Sequence, residues 1–162
     1  MTSPACLSTR DISAGSKSYT ITVTDQAGNA TSASPTVTVD NTAPTVAITF
    51  PTAAYSGGWS AGCSTPATAD ICGTVSDATS GLSSVQVSLR QAASPNMYWN
   101  PTASLFSSST EVLMSSTLAL PSWTFPAAAA WFTTNSAYTI RAVATDGAAN
   151  TATTSTTFTF KP

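Results

Sequence analysis

The chain contains no histidine. That absence removes the usual general base, the Ser-His and Cys-His nucleophile pairs and most zinc sites. Glu111 is the only glutamate. A glycosidase needs two carboxylates about 5 to 9.5 Å apart, and Glu111 has no evident partner, because the aspartates fall mostly at turn-like positions. Charged residues make up only 7% of the sequence, against about 25% in an average globular domain. With a net charge of -2, no basic run and no arginine-aromatic cluster, there is no electrostatic footprint for nucleic acid. No apolar run approaches the roughly 20 residues that span a bilayer; the longest, Phe125 to Phe132, is interrupted by Pro126. Met1 is followed by Thr2, Ser3 and Pro4 rather than by a basic stretch and an apolar one, so no signal peptide is expected. A secreted origin therefore implies an excised or truncated piece.

What is present points to a packed β domain. Hydrophobic residues reach 42%, enough to bury a core, while serine, threonine and alanine take the surface places that charges usually fill. Cys63 and Cys72 stand nine positions apart. That gap suits a local disulfide across a hairpin and does not match a CxxC metal or redox spacing; two independent buried thiols are the alternative. A bridge implies an oxidising compartment. Cys6 is left over.

An internal repeat organises the chain. Tyr19-Thr20-Ile21-Thr22-Val23-Thr24-Asp25, followed by Asn29, returns as the segment from Tyr138 to Asp146, followed by Asn150, with two extra residues between tyrosine and aspartate. Each copy leads into a threonine-rich alternating run, ending in Val37 and Val39 or in Phe158 and Phe160. Both read as a strand, a tight Asp-to-Asn turn and another strand, a hairpin that closes a module. Between the copies, period-two alternation predicts strands around Val46, Ile48 and Phe50, around Ile71, Gly73 and Val75, around Val85, Val87 and Leu89, and around Trp123 and Phe125. Ser84, Gln86, Ser88 and Arg90 then point away from the core. Many short strands separated by turn signals predict an all-β sandwich or barrel. The organisation expected is the tail of a preceding repeat with about three strands at 1–40, a linker at 41–44 stiffened by Pro44, and a complete module at 45–162.

The linker Asp40 to Thr45, the turn Ser76 to Gly81 with the strand Val85 to Arg90, the Tyr98-Trp99-Asn100 segment and the closing Tyr138 hairpin together resemble the bacterial Ig-like repeats, from Ser18 onward. The resemblance implies an immunoglobulin-like antiparallel sandwich and a non-enzymatic stalk, spacer or adhesive role in an extracellular protein, secreted or on the cell surface. Neighbouring Ig-like repeats are the implied partners. The bridge between strands B and F of antibody domains is impossible here, since the Tyr138 strand has no cysteine. An internal Lys-Asn isopeptide bond, found in some bacterial stalk domains, would need a buried lysine; Lys161, beside Pro162, is a poor one.

Three site expectations follow. Tyr138 sits where a tyrosine corner would form, its hydroxyl bonded to backbone, and Tyr19 would play that part in the first copy. Tyr98 and Trp99, with Leu105 and Phe106 after them, either cover the sandwich edge as a small hairpin or offer stacked rings to a glycan or surface receptor; Trp59 and Trp131 have no assigned place. Finally, an Ig-type sandwich gathers its entering linker, the turn after its second strand and its last hairpin turn at one pole. Asp40, Asp77 and Asp146 would converge there and, with Asn150 and turn carbonyls, hold Ca2+ at the junction between repeats, as in related tandem repeats. The competing reading is that aspartate is favoured in turns because it bonds its own backbone.

Overall fold

A computed structural model describes residues 13–52, 63, 70–92 and 95–161; Cys6 and Trp59 lie outside them. The chain divides into two compact units, Met1–Thr42 and Ala43–Pro162.

In the first unit β1 (Gly15–Ser18) pairs antiparallel with β4 (Thr36–Val39), and β2 (Ile21–Thr24) with β3 (Ala30–Ala33). These four short strands, where about three were expected, are one hairpin interrupted at Pro35, which has no N–H to give to the ladder. The Tyr19 N–H donates to the Pro35 carbonyl at 3.1 Å and carries the pairing across the break. Among the described residues of the unit the large apolar side chains face solvent: Ile21 is 57% exposed, Val23 63% and Val37 49%.

The second unit is an antiparallel β-sandwich. One sheet runs β14 (Thr151–Thr159), β13 (Ala137–Asp146), β7 (Leu82–Gln91), β8 (Tyr98–Asn100), β9 (Leu105–Ser108), with β10 (Met114–Ser115) also paired to β7. The other runs β11 (Thr117–Ala119), β12 (Ser122–Pro126), β6 (Asp70–Ser76), β5 (Thr45–Phe50). The alternation in the sequence sets which side chains meet. Val85, Val87 and Leu89 from β7, Ile140, Ala142 and Ala144 from β13 and Phe158 from β14 belong to one buried cluster with Ile71, Val75, Trp123 and Phe125 of the second sheet. Pleating sends successive side chains to opposite faces, so a strict period of two delivers one apolar face per sheet.

The repeat is structural as well as sequential. Val23 pairs with Thr31 and Lys17 with Val37, as Ala144 pairs with Ala152 and Tyr138 with Phe158. Counted from the turn aspartate, the registers coincide, and this corrects one expectation. The two extra residues of the second copy put Ile140, not Tyr138, in the place of Tyr19, so Tyr19 is not a tyrosine corner. The matching positions differ in burial: Ala142, Ala144 and Phe158 are core, whereas Ile21, Val23 and Val37 face solvent.

Candidate functional site

Three turns built on aspartate recur. Asp25 Oδ1 accepts from the N–H groups of Ala27 and Asn29, both at 2.9 Å, and Asp25 Oδ2 accepts from Asn29 Nδ2 at 2.8 Å. These bonds, led by the Asn29 amide, hold the Asp25 carboxyl below its ordinary pKa. Asp146 repeats the set: Oδ1 accepts from Ala148 N at 2.9 Å and Asn150 N at 2.8 Å, and Oδ2 from Asn150 Nδ2 at 2.9 Å. Asp77 Oδ1 accepts from Thr79 N at 3.1 Å and Gly81 N at 2.7 Å. Short aspartates whose oxygens reach backbone two and four residues on make self-contained turns. The fourth residue of the first turn, Gly28, takes φ +88°, and its counterpart Ala149 takes 69°.

Within the sandwich, the turns of Asp77 and Asp146 dock on each other. The Gly147 N–H donates to the Gly81 carbonyl at 2.8 Å, and a Cβ at Gly147 would stand 2.7 Å from the Ser80 carbonyl oxygen. Only glycine permits that approach. A carboxylate oxygen of Asp77 and one of Asp146 consequently lie within 4.8 Å of each other; in the first unit, Asp40 Oδ1 caps the Thr42 N–H at 2.9 Å. Asp146 is 1% exposed and Asp40 8%. Each carboxylate oxygen has two lone pairs; Oδ1 of Asp77 and Oδ1 of Asp146 each accept two backbone protons, so a hard cation would be met by the Oδ2 atoms.

Cys63 and Cys72 are disulfide-bonded, with Cα atoms 6.0 Å apart. The bond ties the connection between β5 and β6 to β6 itself. Closing so short a loop is expected to contribute about 2 to 3 kcal/mol on the chain-entropy estimate. Denaturant titrations with and without reductant measure that difference, and mass spectrometry of alkylated, unreduced protein checks the pairing.

The aromatic insertion is the hairpin β8–β9 at the sheet's edge. Trp99 is only 3% exposed; it stacks on Trp131 at 4.2 Å and meets Phe106 edge-on at 5.2 Å. A ring so enclosed gives no face to a sugar, and Tyr98 beside it is half-buried. Tyr138 is fully buried, and its hydroxyl oxygen accepts the Thr133 N–H at 2.6 Å. That contact fixes the loop before β13 in the manner of a tyrosine corner.

Glu111, for which the sequence offered no partner, has two. Ser88 Oγ donates to its Oε1 at 2.6 Å, and Arg141 Nη1 donates to both oxygens at 2.9 Å. Because Ser88 lies opposite Arg141 across β7 and β13, the carboxylate clamps two paired strands from outside. It also explains why outward-pointing Ser88 is 2% exposed. The Ser88 bond first, then Arg141, holds the Glu111 carboxyl below its ordinary value of 4.5. A group whose folded pKa is depressed stabilises the fold above its unfolded pKa, and that contribution is lost as pH falls through the folded pKa. Glu111→Gln should therefore be less stable than wild type by a constant margin above about pH 5, the two curves converging at more acid pH. Urea titrations across pH 2.5 to 7, roughly the range over which a paired carboxylate titrates, check it; parallel curves would contradict it.

A family model described as a bacterial Ig-like domain matches residues 38–162. No curated protein matches the chain.

Proposed function

The chain belongs to the bacterial Ig-like domain family, and from that premise we propose that it is a non-enzymatic structural or adhesive link in an extracellular bacterial repeat protein. The family is typically non-catalytic, and its members are commonly extracellular or surface-exposed. The observation that carries the reading is the repeated hairpin. The same register and the same aspartate turn close the sandwich and recur in residues 15–39, where the described strands form only two-stranded pairings. Residues 1–40 are, on this reading, the C-terminal part of a preceding repeat, so neighbouring repeats are the natural partners. A link under tension must unfold as a unit. Pulling the protein by its termini should show one cooperative rupture for the sandwich, its released length shortened by the disulfide-closed loop. Gradual extension without a distinct rupture would defeat the spacer reading.

The facing carboxylates of Asp77 and Asp146 support a second element of the proposal, calcium binding by these two residues. Like charges at one pole repel, and a cation with oxygen ligands relieves that. Without an EF-hand spacing, affinity should fall in the roughly 0.1 to 1 mM range of extracellular modules. At 10 mM calcium, about ten times the weaker limit, the melting temperature should rise by a few degrees. The rise should disappear with chelator and shrink in Asp77→Ala. No shift in wild type, or an undiminished one in the variant, counts against the site.

A further inference from the structure

Between the β8–β9 hairpin and the loop at 129–133 lies an open cleft of about 270 Å³, lined by Gln91, Trp99, Ser104, Leu105, Trp131 and Thr133 among others. We propose that this cleft, with Trp99 among its lining residues, binds a single uncharged pyranose ring, independently of the spacer role.

Both walls are held in place. The turn before β9 is capped by Asn100, whose Oδ1 accepts from Thr102 N at 3.0 Å and Ala103 N at 3.2 Å. Ser104, the last residue of that turn, sits at φ 53°. A non-glycine residue in the left-handed region costs energy and persists only where surrounding structure imposes it. The opposite wall is Trp131, its ring aligned against Trp99 at an interplanar angle of 20°, and its loop is anchored by the Thr133 N–H on the Tyr138 hydroxyl. A preformed site loses little ordering entropy when a ligand enters.

The lining defines the ligand. None of the described lining residues is ionisable, so a charged ligand would give up its water to them without compensation. Leu105, 50% exposed at the lip, and the half-buried Trp131 offer apolar surface, while the Gln91 amide and the Ser104 and Thr133 hydroxyls offer donors and acceptors. A pyranose presents that combination: C–H groups on its faces and hydroxyls around its rim. The short span of the cleft, from the β8–β9 hairpin to the loop at 129–133, suits one ring rather than a chain of them.

The test uses the full chain, labelled for NMR, titrated with the methyl glycosides of glucose, galactose, mannose and N-acetylglucosamine. At least one should give saturable shifts at the Trp131 indole and the Leu105 methyls, with a dissociation constant on the order of millimolar, as few contacts allow. Leu105→Asp, at an exposed position that leaves the core intact, should weaken that sugar about tenfold or more. Gln91→Ala should weaken it too. Four sugars without saturable shifts would overturn the proposal, as would equal affinity in Leu105→Asp, or binding confined to oligosaccharides longer than the cleft.

Discussion

Trp123→Ala should destabilise the sandwich by about 3 to 5 kcal/mol, the range for removing a buried aromatic. Trp123 is fully buried in β12 and lies opposite Gly73 of β6. The missing side chain of Gly73 makes room for the indole: a Cβ there would fall 2.6 Å from two of its ring carbons and would overlap the Ala47 carbonyl oxygen. The indole also reaches across β6, where Nε1 donates to that carbonyl at 3.2 Å. Truncation therefore removes a large apolar contact and the partner of a backbone oxygen at one stroke. Against the 5 to 15 kcal/mol typical of whole domains, of order a fifth to all of the stability would go. Gly73→Ala attacks the same packing from the other side and should be at least as damaging, because the clash is with backbone that a flexible neighbour cannot relieve. Urea titrations of both variants check this. A loss below about 1.5 kcal/mol for Trp123→Ala, the range of small core changes, would mean that the ring is not packed as described.

Asp146→Ala should cost about 2 to 4 kcal/mol, and Asp25→Ala, which removes the same three bonds, far less. The difference lies in water. Asp146 is 1% exposed, so deleting its carboxylate leaves a buried void beside the half-buried Asn150, and each unmade buried bond costs about 1 to 3 kcal/mol. Asp25 is exposed, and water replaces what the side chain gave. Measuring in chelator separates the turn's own contribution from any bound cation. Asp146→Asn keeps one oxygen acceptor and should fall between wild type and alanine. Equal losses at Asp25 and Asp146 would show that burial does not decide the cost.

The strands of the sandwich were legible because period-two alternation is a local signal: Val85, Val87 and Leu89, or Trp123 and Phe125, announce their own faces. The turns were legible because an aspartate bonds its own neighbours. Contacts that depend on register between distant strands were not. Glu111 finds Arg141 30 residues away and Ser88 23 residues away, and no local pattern specifies which strand lies between them. Tyr19 was misassigned for a related reason: aligning the copies on tyrosine ignores that the turn sets the register. Counting back from Asp25 and Asp146 gives the right correspondence. Trp131 had no place in the sequence reading, since its position follows from stacking on Trp99, a contact between a loop and a strand on opposite sides of a long connection.

Hydrogen exchange followed by mass spectrometry on the intact protein tests most directly the claim that the last hairpin of the sandwich and its counterpart in residues 15–39 share a turn and a register but not a core. Peptides covering β13 and β14 should exchange only through global unfolding of the sandwich, and slow exchange should extend through β6, β7 and β12. Peptides covering β2 and β3, with the same turn and register but no core, should exchange orders of magnitude faster, since a two-stranded hairpin is marginal alone. Equal protection in the two hairpins would contradict the account.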